Sequence, residues 1–462
     1  MLSLYNSLSR SEEPLPDQKK IRLFVCGPTV YDYLHIGNAR TYIFFDFFAK
    51  YLRARGYDVN YLQNITDIDD KIIKRAAEER VAPAKLAARF TEAYFEDMKT
   101  LGVDAVSQYA KATDFISQIT AQVERLIDKG YAYKIDGDGW YFDIAKDADY
   151  GKLSGRTVEQ AEDGVSRIDE SVGKKNKGDF CLWKFSTPPA AGGNEEPNWP
   201  SALGAGRPGW HIEDTAISEF YFGPQYEIHG GGVDLKFPHH EAEIAQQESA
   251  SGKKPFVQIW MHVGALTVEG KKMSKSVGNF VTIRDFLAKY PPVILRWIVL
   301  SHDYRSPLDF SDRVIAQAVS ELENLYTLSL QVREDAKSDG GDADQNDVSV
   351  WTEKFYAALD DDLNTAKAVA AIFEMFKDKA LSAPSKFALV KIFDRAMGAN
   401  IKEIVGPAAA IPAEVMEKFA EYQALRGNKQ FIQSDALRNG IEALGYSIRD
   451  TQEGSSIVKK FF

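Results

Sequence analysis

Two short runs carry residue types suited to phosphate chemistry. In His35-Ile36-Gly37-Asn38, His35 and Asn38 can donate hydrogen bonds to phosphate oxygens, and Gly37 lets the backbone come close to a ligand. Far downstream, Lys272-Met273-Ser274-Lys275-Ser276 sits in a polar stretch flanked by glycine. Two lysines three apart on a loop can reach a triphosphate and neutralise charge that develops as pyrophosphate leaves. The plain alternative for that loop is a solvated basic turn. A third run, Gly230-Gly231-Gly232 followed by Asp234, offers close backbone approach and a carboxylate for a ribose hydroxyl. Metal chemistry is suggested by His239 and Glu243, four apart on an expected helix and so on one face. His240 with Glu243, three apart, serves almost as well, so spacing alone does not choose between the histidines. A lone His–Glu pair on a helix is more often a surface contact.

The elements that must hold these residues follow from apolar pattern. Leu23 to Cys26 is a short apolar run, read as a buried strand, which turns through Gly27-Pro28. Phe44, Phe48 and Leu52 recur every four residues, and Gly56 stands where a helix would stop. Tyr57 to Gln63 alternates like a second strand. Strand, turn, helix and strand make a βαβ unit, whose first turn is a phosphate-binding place. Asn64-Ile65-Thr66-Asp67-Ile68-Asp69-Asp70-Lys71 reads equally as a ligand-binding carboxylate cluster or as a helix start capped by Thr66 or Asp67. Gly130 to Ile144 reads as a hairpin about Asp136-Gly137-Asp138-Gly139. Beyond it lies polar, broken sequence with the basic cluster Lys174-Lys175-Asn176-Lys177, read as a solvated loop. Pro238 suits the first turn of a helix carrying His239 and Glu243. Ser311 to Val332 is amphipathic, Arg333 to Val348 reads as an acidic linker or exposed loop, and helices are expected over Trp351–Leu359, Thr365–Lys377 and Lys386–Met397. A last unit from Ala413 should hold two helices and a strand pair.

Composition narrows the class without choosing a partner. The chain has 462 residues, enough for three or four domains, and only two cysteines, Cys26 and Cys181, which argues for a reducing compartment and against a disulfide scaffold. No run reaches membrane-spanning length and none resembles a secretory signal, so a soluble cytoplasmic protein is expected. A net charge of −11 opposes a duplex-binding reading but leaves room for RNA held by a local basic surface.

The two phosphate motifs, in this order, resemble the signature pair of class I aminoacyl-tRNA synthetases, with Asn38 in place of the final histidine of the commoner form. Phe24 to Asp32 with His35-Ile36-Gly37, Asn64 to Lys71, Arg207-Pro208-Gly209-Trp210-His211-Ile212-Glu213, Phe237-Pro238-His239-His240-Glu241 and Lys272 to Ser276 narrow that to the cysteinyl-tRNA synthetase family, along almost the whole chain. The resemblance implies activation of L-cysteine by ATP and transfer to tRNA(Cys). It implies catalytic roles for His35, Asn38, Lys272 and Lys275, and ATP contacts from Gly27, Gly37, Gly230, Gly231, Gly232, Asp234 and Lys275. Thr66 and Trp210 would line the cysteine pocket, and Arg426, Phe431 and Asp435 would meet the anticodon. Magnesium would arrive with ATP. A zinc ion that reads the substrate thiol would be held by Cys26, Asp214, His239 and Glu243. Position 214 is a cysteine in the usual family pattern, so aspartate here bears on both metal affinity and metal identity. The expectation is that it still binds, since thiolate and carboxylate carry the same charge and the longer carboxylate offsets the shorter zinc–oxygen bond. Cys181 matches no ligand position and is read as a packed small hydrophobe.

The implied fold is α/β: a Rossmann-type parallel-sheet catalytic domain with a connective insertion, followed by a mostly α-helical C-terminal half. The expected divisions are 1–108 and 205–265 for the catalytic domain, 109–204 for the insertion, 266–318 for a stem-contact region with the lysine loop, 319–405 for a helical bundle and 406–462 for an anticodon-binding domain. A monomer is expected. Two rivals remain in view. One is a ligase of the same fold that joins cysteine to an amino sugar, for which an anticodon reader would have no use. The other is a non-catalytic RNA-binding paralogue, against which an intact lysine loop argues.

Overall fold

The apolar run ending at Cys26 is buried on both faces, as strands of a parallel sheet covered by helices must be. In the computed structural model, which describes residues 2–16, 18–157, 171–186, 196–273, 278–397, 411–451 and 454–459, it forms the strand Lys20–Val25 at the centre of a five-stranded sheet. Across that sheet the strands run Val257–Val263, Tyr226–Gly232, Lys20–Val25, Asp58–Ile65 and Gln108–Lys111, every pairing parallel. Numbered by their order along the chain, this is 3-2-1-4-5 read from the other edge, the doubly wound order. Its crevice opens where the order reverses, between Lys20–Val25 and Tyr226–Gly232. Cys26 and Gly27 leave one side of that crevice, and Gly230 to Gly232 form the other.

The helix Ile36–Ala54 follows the first strand and buries Phe44, Phe45, Phe47, Phe48 and Leu52. Gly56 takes a positive φ of 85° just beyond it, which ends the helix as expected. The insertion contributes an antiparallel sheet of Ala132–Ile135, Gly139–Phe142, Phe180–Phe185 and Gly206–Pro208. Among the described residues it has no separate core: Phe142, Leu182 and Trp183 belong to the same hydrophobic cluster as Phe24, Leu62, Ile217 and Trp260. Cys181 is fully buried there. The basic cluster is less free than a solvated loop, since Lys175 pairs with Asp143 at 3.1 Å and lies over the Tyr133 ring.

A hairpin of Ser3–Asn6 and Ser11–Pro14, absent from the expected elements, packs by the edge strand Val257–Val263. Leu266–Val268 pairs in parallel with Leu308–Phe310 and antiparallel with Lys271–Lys272. The segment after the lysine loop then joins the first motif: Ile36 N donates to Val281 O at 3.1 Å and Ile283 N to Leu34 O at 2.9 Å.

The described residues form two compact units, one of 1–288, 302–310 and 358–365 and one of the remaining helical segments. The second contains Pro292–Leu300, Asp312–Asp339, most of Gln345–Leu359 and of Thr365–Lys377, and Ala383–Met397. The expected acidic linker is mostly helix. Asp312–Asp339 runs seven residues past Val332, helped by Lys337, which pairs with Glu334 at i,i+3. The last helices, Ala413–Gly427 and Phe431–Ala443, are followed by an antiparallel pair, Tyr446–Thr451 and Gly454–Lys459. They share a small core of Val415, Phe419, Tyr422, Ile441, Tyr446 and Ile448.

Candidate metal centre and nucleotide crevice

Four elements deliver the candidate metal ligands to one buried point. Cys26 leaves the central strand, Asp214 lies in the first turn of the helix Ile212–Phe222, and Glu243 lies in the first turn of Glu241–Ser251. Helix N-termini favour carboxylates there. His239 is not on that last helix, as its spacing from Glu243 suggested. It sits in a wide turn, Lys236–His240, because Phe237 keeps an extended backbone with φ −141°. The ligand atoms of Cys26, Asp214, His239 and Glu243 lie within 4.8 Å of one another, all buried. His239 Nε2 stands 3.1 Å from Asp214 Oδ2 and 3.4 Å from Glu243 Oε1.

The turn also explains why spacing could not choose a histidine. His240 Nε2 is 3.1 Å from Cys26 Sγ, and His229 Nε2 is 3.2 Å from it on another side. His229 also stands 3.3 Å from Glu243 Oε2. Cys26, His229, His240 and Glu243 thus make a second grouping whose ligand atoms also lie within 4.8 Å of one another. Outer partners orient the rings: His239 Nδ1 meets His211 Nδ1 at 2.8 Å, His229 Nδ1 meets Tyr226 at 2.7 Å, and His240 Nδ1 meets His262 Nε2 at 2.8 Å.

The electrostatics of the cluster call for a cation. Burial, then Glu243 and Asp214, push the Cys26 thiol well up, and burial, then Asp214, push Glu243 well up. Four of the surrounding histidines do not supply the missing charge. Burial holds His211, His229 and His240 well below the usual imidazole range, and His262 at about 3. Both carboxylate oxygens of Glu243 are buried without a hydrogen-bond donor. A divalent ion would satisfy them and let thiol and carboxyl ionise together. The donor set of sulfur, nitrogen and oxygen is one that zinc accepts.

The phosphate motif surrounds the start of the helix Ile36–Ala54. His35 caps it: Nδ1 accepts from Asn38 N at 3.2 Å, and Asn38 Oδ1 accepts from His35 N at 3.3 Å. Accepting at Nδ1 puts the proton of a neutral ring on Nε2. A Cβ on Gly37 would stand 2.9 Å from the His35 ring and 3.2 Å from the Met273 methyl. The glycine therefore lets the cap fold back, and it brings the lysine loop's Met273 beside the first motif. Lys272 is in the strand Lys271–Lys272, while Lys275 lies outside the described residues. Across the crevice, a Cβ on Gly230 would meet the Phe45 ring at 2.1 Å and one on Gly231 the His240 ring at 2.9 Å. Helix and histidine packing thus account for these two glycines. Gly232 leads to Asp234, which is exposed.

Beside the metal cluster, Trp210 stacks on the His239 ring with centroids 4.5 Å apart. Thr66 is buried and hydrogen-bonds Glu213. The helix cap in this stretch is neither Thr66 nor Asp67 but Asp69, which accepts from Lys71 N at 2.7 Å. Asp67 instead holds the turn at Thr113, accepting from its N and Oγ1 at 3.0 and 2.7 Å. In the last helix pair, the Arg426 guanidinium lies 5.5 Å from the centre of the Phe431 ring, which is 53 % exposed. Exposed Asp435 is one turn further along the helix.

Residues 13–320 match the family described as tRNA synthetases class I (C) catalytic domain, and 354–379 match the DALR domain. A cysteine–tRNA ligase of Hahella chejuensis is 42 % identical, covering 99 % of each chain. One of Methanococcus maripaludis is 40 % identical over 100 % of this chain and 99 % of its own. The chain belongs to the cysteine–tRNA ligase family. A methionyl-tRNA synthetase of Mycobacterium tuberculosis, 15 % identical, shares the fold with a TM-score of 0.61 over 84 % of this chain and 92 % of its own.

His211 and Asn64 lie in the family motifs without an assigned role, and His229 and His262 lie in none of the runs named above. His211, His229 and His262 join the histidine cluster, and Asn64 joins Gly27 to Asp214. Helical spacing could not have found most of these contacts, because Asn64 and Asp214 are 150 positions apart, His211 and His239 are 28 apart, and His240 and His262 are 22 apart. Among the described residues, no helix of this family member is long and apolar enough to cross a membrane.

Proposed function

We propose that the chain activates L-cysteine with ATP, giving cysteinyl adenylate and pyrophosphate, and then transfers cysteine to the terminal ribose of tRNA(Cys). The observation that carries this reading is the buried Cys26–Asp214–His239–Glu243 cluster beside the crevice where the strand order reverses. An amino acid seated against Trp210 would put its side chain at the cluster and its carboxylate toward the phosphates. Zinc held by these four residues would bind the substrate thiol as thiolate, which serine's hydroxyl matches poorly.

The chain's own residues do the rest by positioning and charge. His35 Nε2–H, the Asn38 amide and the helix N-terminus would hold phosphate oxygens. Lys272 and Lys275 would take up charge on the departing pyrophosphate, whose magnesium arrives with ATP. The substrate carboxylate oxygen bonds to the α-phosphorus as the bond to pyrophosphate breaks. A ribose hydroxyl then attacks the carbonyl and AMP leaves. Gly27, Gly37 and Gly230 to Gly232 would flank the nucleotide, with Asp234 on its ribose. Thr66 would line the amino-acid pocket. Arg426, Phe431 and Asp435 would meet unpaired anticodon bases, Phe431 by stacking. We take the working form to be a cytoplasmic monomer, with the division into domains read from the sequence.

Cysteine-dependent pyrophosphate exchange, followed by charging of tRNA, tests the reading. Exchange with cysteine but not serine is expected, and Lys275→Ala should slow it by about 100- to 1000-fold. A protein that exchanges with neither amino acid would overturn the activity. Parental exchange in Lys275→Ala would overturn the lysine's role.

A further inference from the structure

Asn64 is the last residue but one of the strand Asp58–Ile65 and is 1 % exposed. Its side chain touches both ends of the metal cluster. The amide oxygen accepts from Gly27 N at 2.6 Å, next to Cys26. The amide nitrogen donates to Asp214 Oδ1 at 2.5 Å and to Thr66 Oγ1 at 3.3 Å. The orientation is fixed by chemistry, since a backbone N–H can only face the amide oxygen, which leaves the NH2 facing the carboxylate. One oxygen of Asp214 is thereby occupied. The other, Oδ2, is the one that stands 3.1 Å from His239 Nε2.

We propose that Asn64 is a positioning residue that makes the carboxylate at 214 act as a single-oxygen metal ligand. The inference rests on the metal reading above. A carboxylate has two acceptor oxygens, and in a buried site the one not on the metal needs a donor. Left free, it would also swing onto the ion as a second ligand atom. A thiolate at 214 would present one sulfur and make neither demand. The contribution of Asn64 to metal binding should therefore depend on which residue occupies 214.

A double-mutant cycle on the full chain reads this directly. Zinc affinity is measured by competition with a chelating indicator in the parent, Asn64→Ala, Asp214→Cys and the double variant, with folding checked by circular dichroism and thermal melting. Asn64→Ala should weaken zinc binding about 10- to 100-fold in the parent, the range for an outer-shell partner. In the Asp214→Cys background the same change should cost far less. Cobalt-loaded Asn64→Ala should lose visible absorption intensity per bound ion, as the freed carboxylate raises the coordination number above four. Asn64→Asp covers the case in which the alanine variant folds poorly. It keeps the acceptor for Gly27 but sets a carboxylate against Asp214, so it should also weaken zinc in the parent. Equal losses in both backgrounds, or parental zinc affinity in Asn64→Asp, would overturn the proposal and leave the metal reading standing. A well-folded parent with no zinc affinity would overturn both.

Discussion

Glu243 occupies a position that no neutral residue should fill as well when a cation is bound, and that many would fill better when it is not. Its carboxyl is buried, has no donor on either oxygen, and is pushed up by burial and by Asp214. Glu243→Gln keeps the shape and removes the charge. We expect zinc affinity to fall by more than the ~10–100-fold typical of an outer-shell partner. In the presence of chelator, the thermal midpoint should hold or rise, because a buried acid without donors has been replaced by a neutral amide. A residue kept only for packing would show the reverse: metal retention and a lower midpoint. At this scale the sequence was legible where a motif named a residue and illegible where a contact did. Cys26, Asp214, His239 and Glu243 came from the resemblance and do meet in space. Spacing alone leaves the choice between His239 and His240 open because it depends on a non-helical Phe237, which periodicity assumes away. Asn64 lay in a quoted motif and still had no role, since its partner is 150 positions distant.

At the scale of elements, the crevice exists because the helix Ile36–Ala54 packs tightly on the strand Tyr226–Gly232. The contact is Phe45 over Gly230, where an added Cβ would stand 2.1 Å from the ring. Both residues are buried, so Gly230→Ala must move the ring or the strand, and overpacking of this kind costs ~1–3 kcal/mol. The thermal midpoint should drop accordingly, with exchange activity falling as the helix start shifts. Adding Phe45→Leu should make the double variant lose less than the sum of the single losses, since the two side chains share one space. Purely additive losses would mean the glycine serves something other than this contact. Elements themselves were read well where a local signal sufficed. The helix Thr365–Lys377 is found at the residues where the sequence pattern places it. The acidic stretch after Val332 reads as a linker from its charge density, whereas i,i+3 pairing lets it continue as helix. The N-terminal hairpin left no pattern, being short and held by contacts of Asn6 and Ser7 with the edge strand and of Ser3 and Tyr5 with Asp360 and Asp362.

For the whole molecule, activation and tRNA recognition should separate. The Rossmann sheet and its metal cluster lie in one compact unit, while Arg426, Phe431 and Asp435 lie in the other, on helices with their own small core. A net charge of −11 gives tRNA no general attraction to the chain, so local groups must supply the grip. Phe431 is 53 % exposed, and the Arg426 guanidinium is 5.5 Å from its ring centre. Such an aromatic contributes little to the fold but can stack on an unpaired base, an interaction worth ~1–3 kcal/mol. Phe431→Ala should therefore raise KM for tRNA about 5- to 150-fold, with cysteine-dependent exchange and the thermal midpoint both near parental values. Removing residues 411–462 should have the same sign and a larger size, sparing exchange while charging collapses. The pair of results matters more than either alone. If truncation abolishes exchange as well, the C-terminal helices support the catalytic unit and the separation is wrong. If truncation spares exchange and ends charging while Phe431→Ala changes nothing, the unit still grips tRNA, but through a face other than the one Phe431 and Arg426 share.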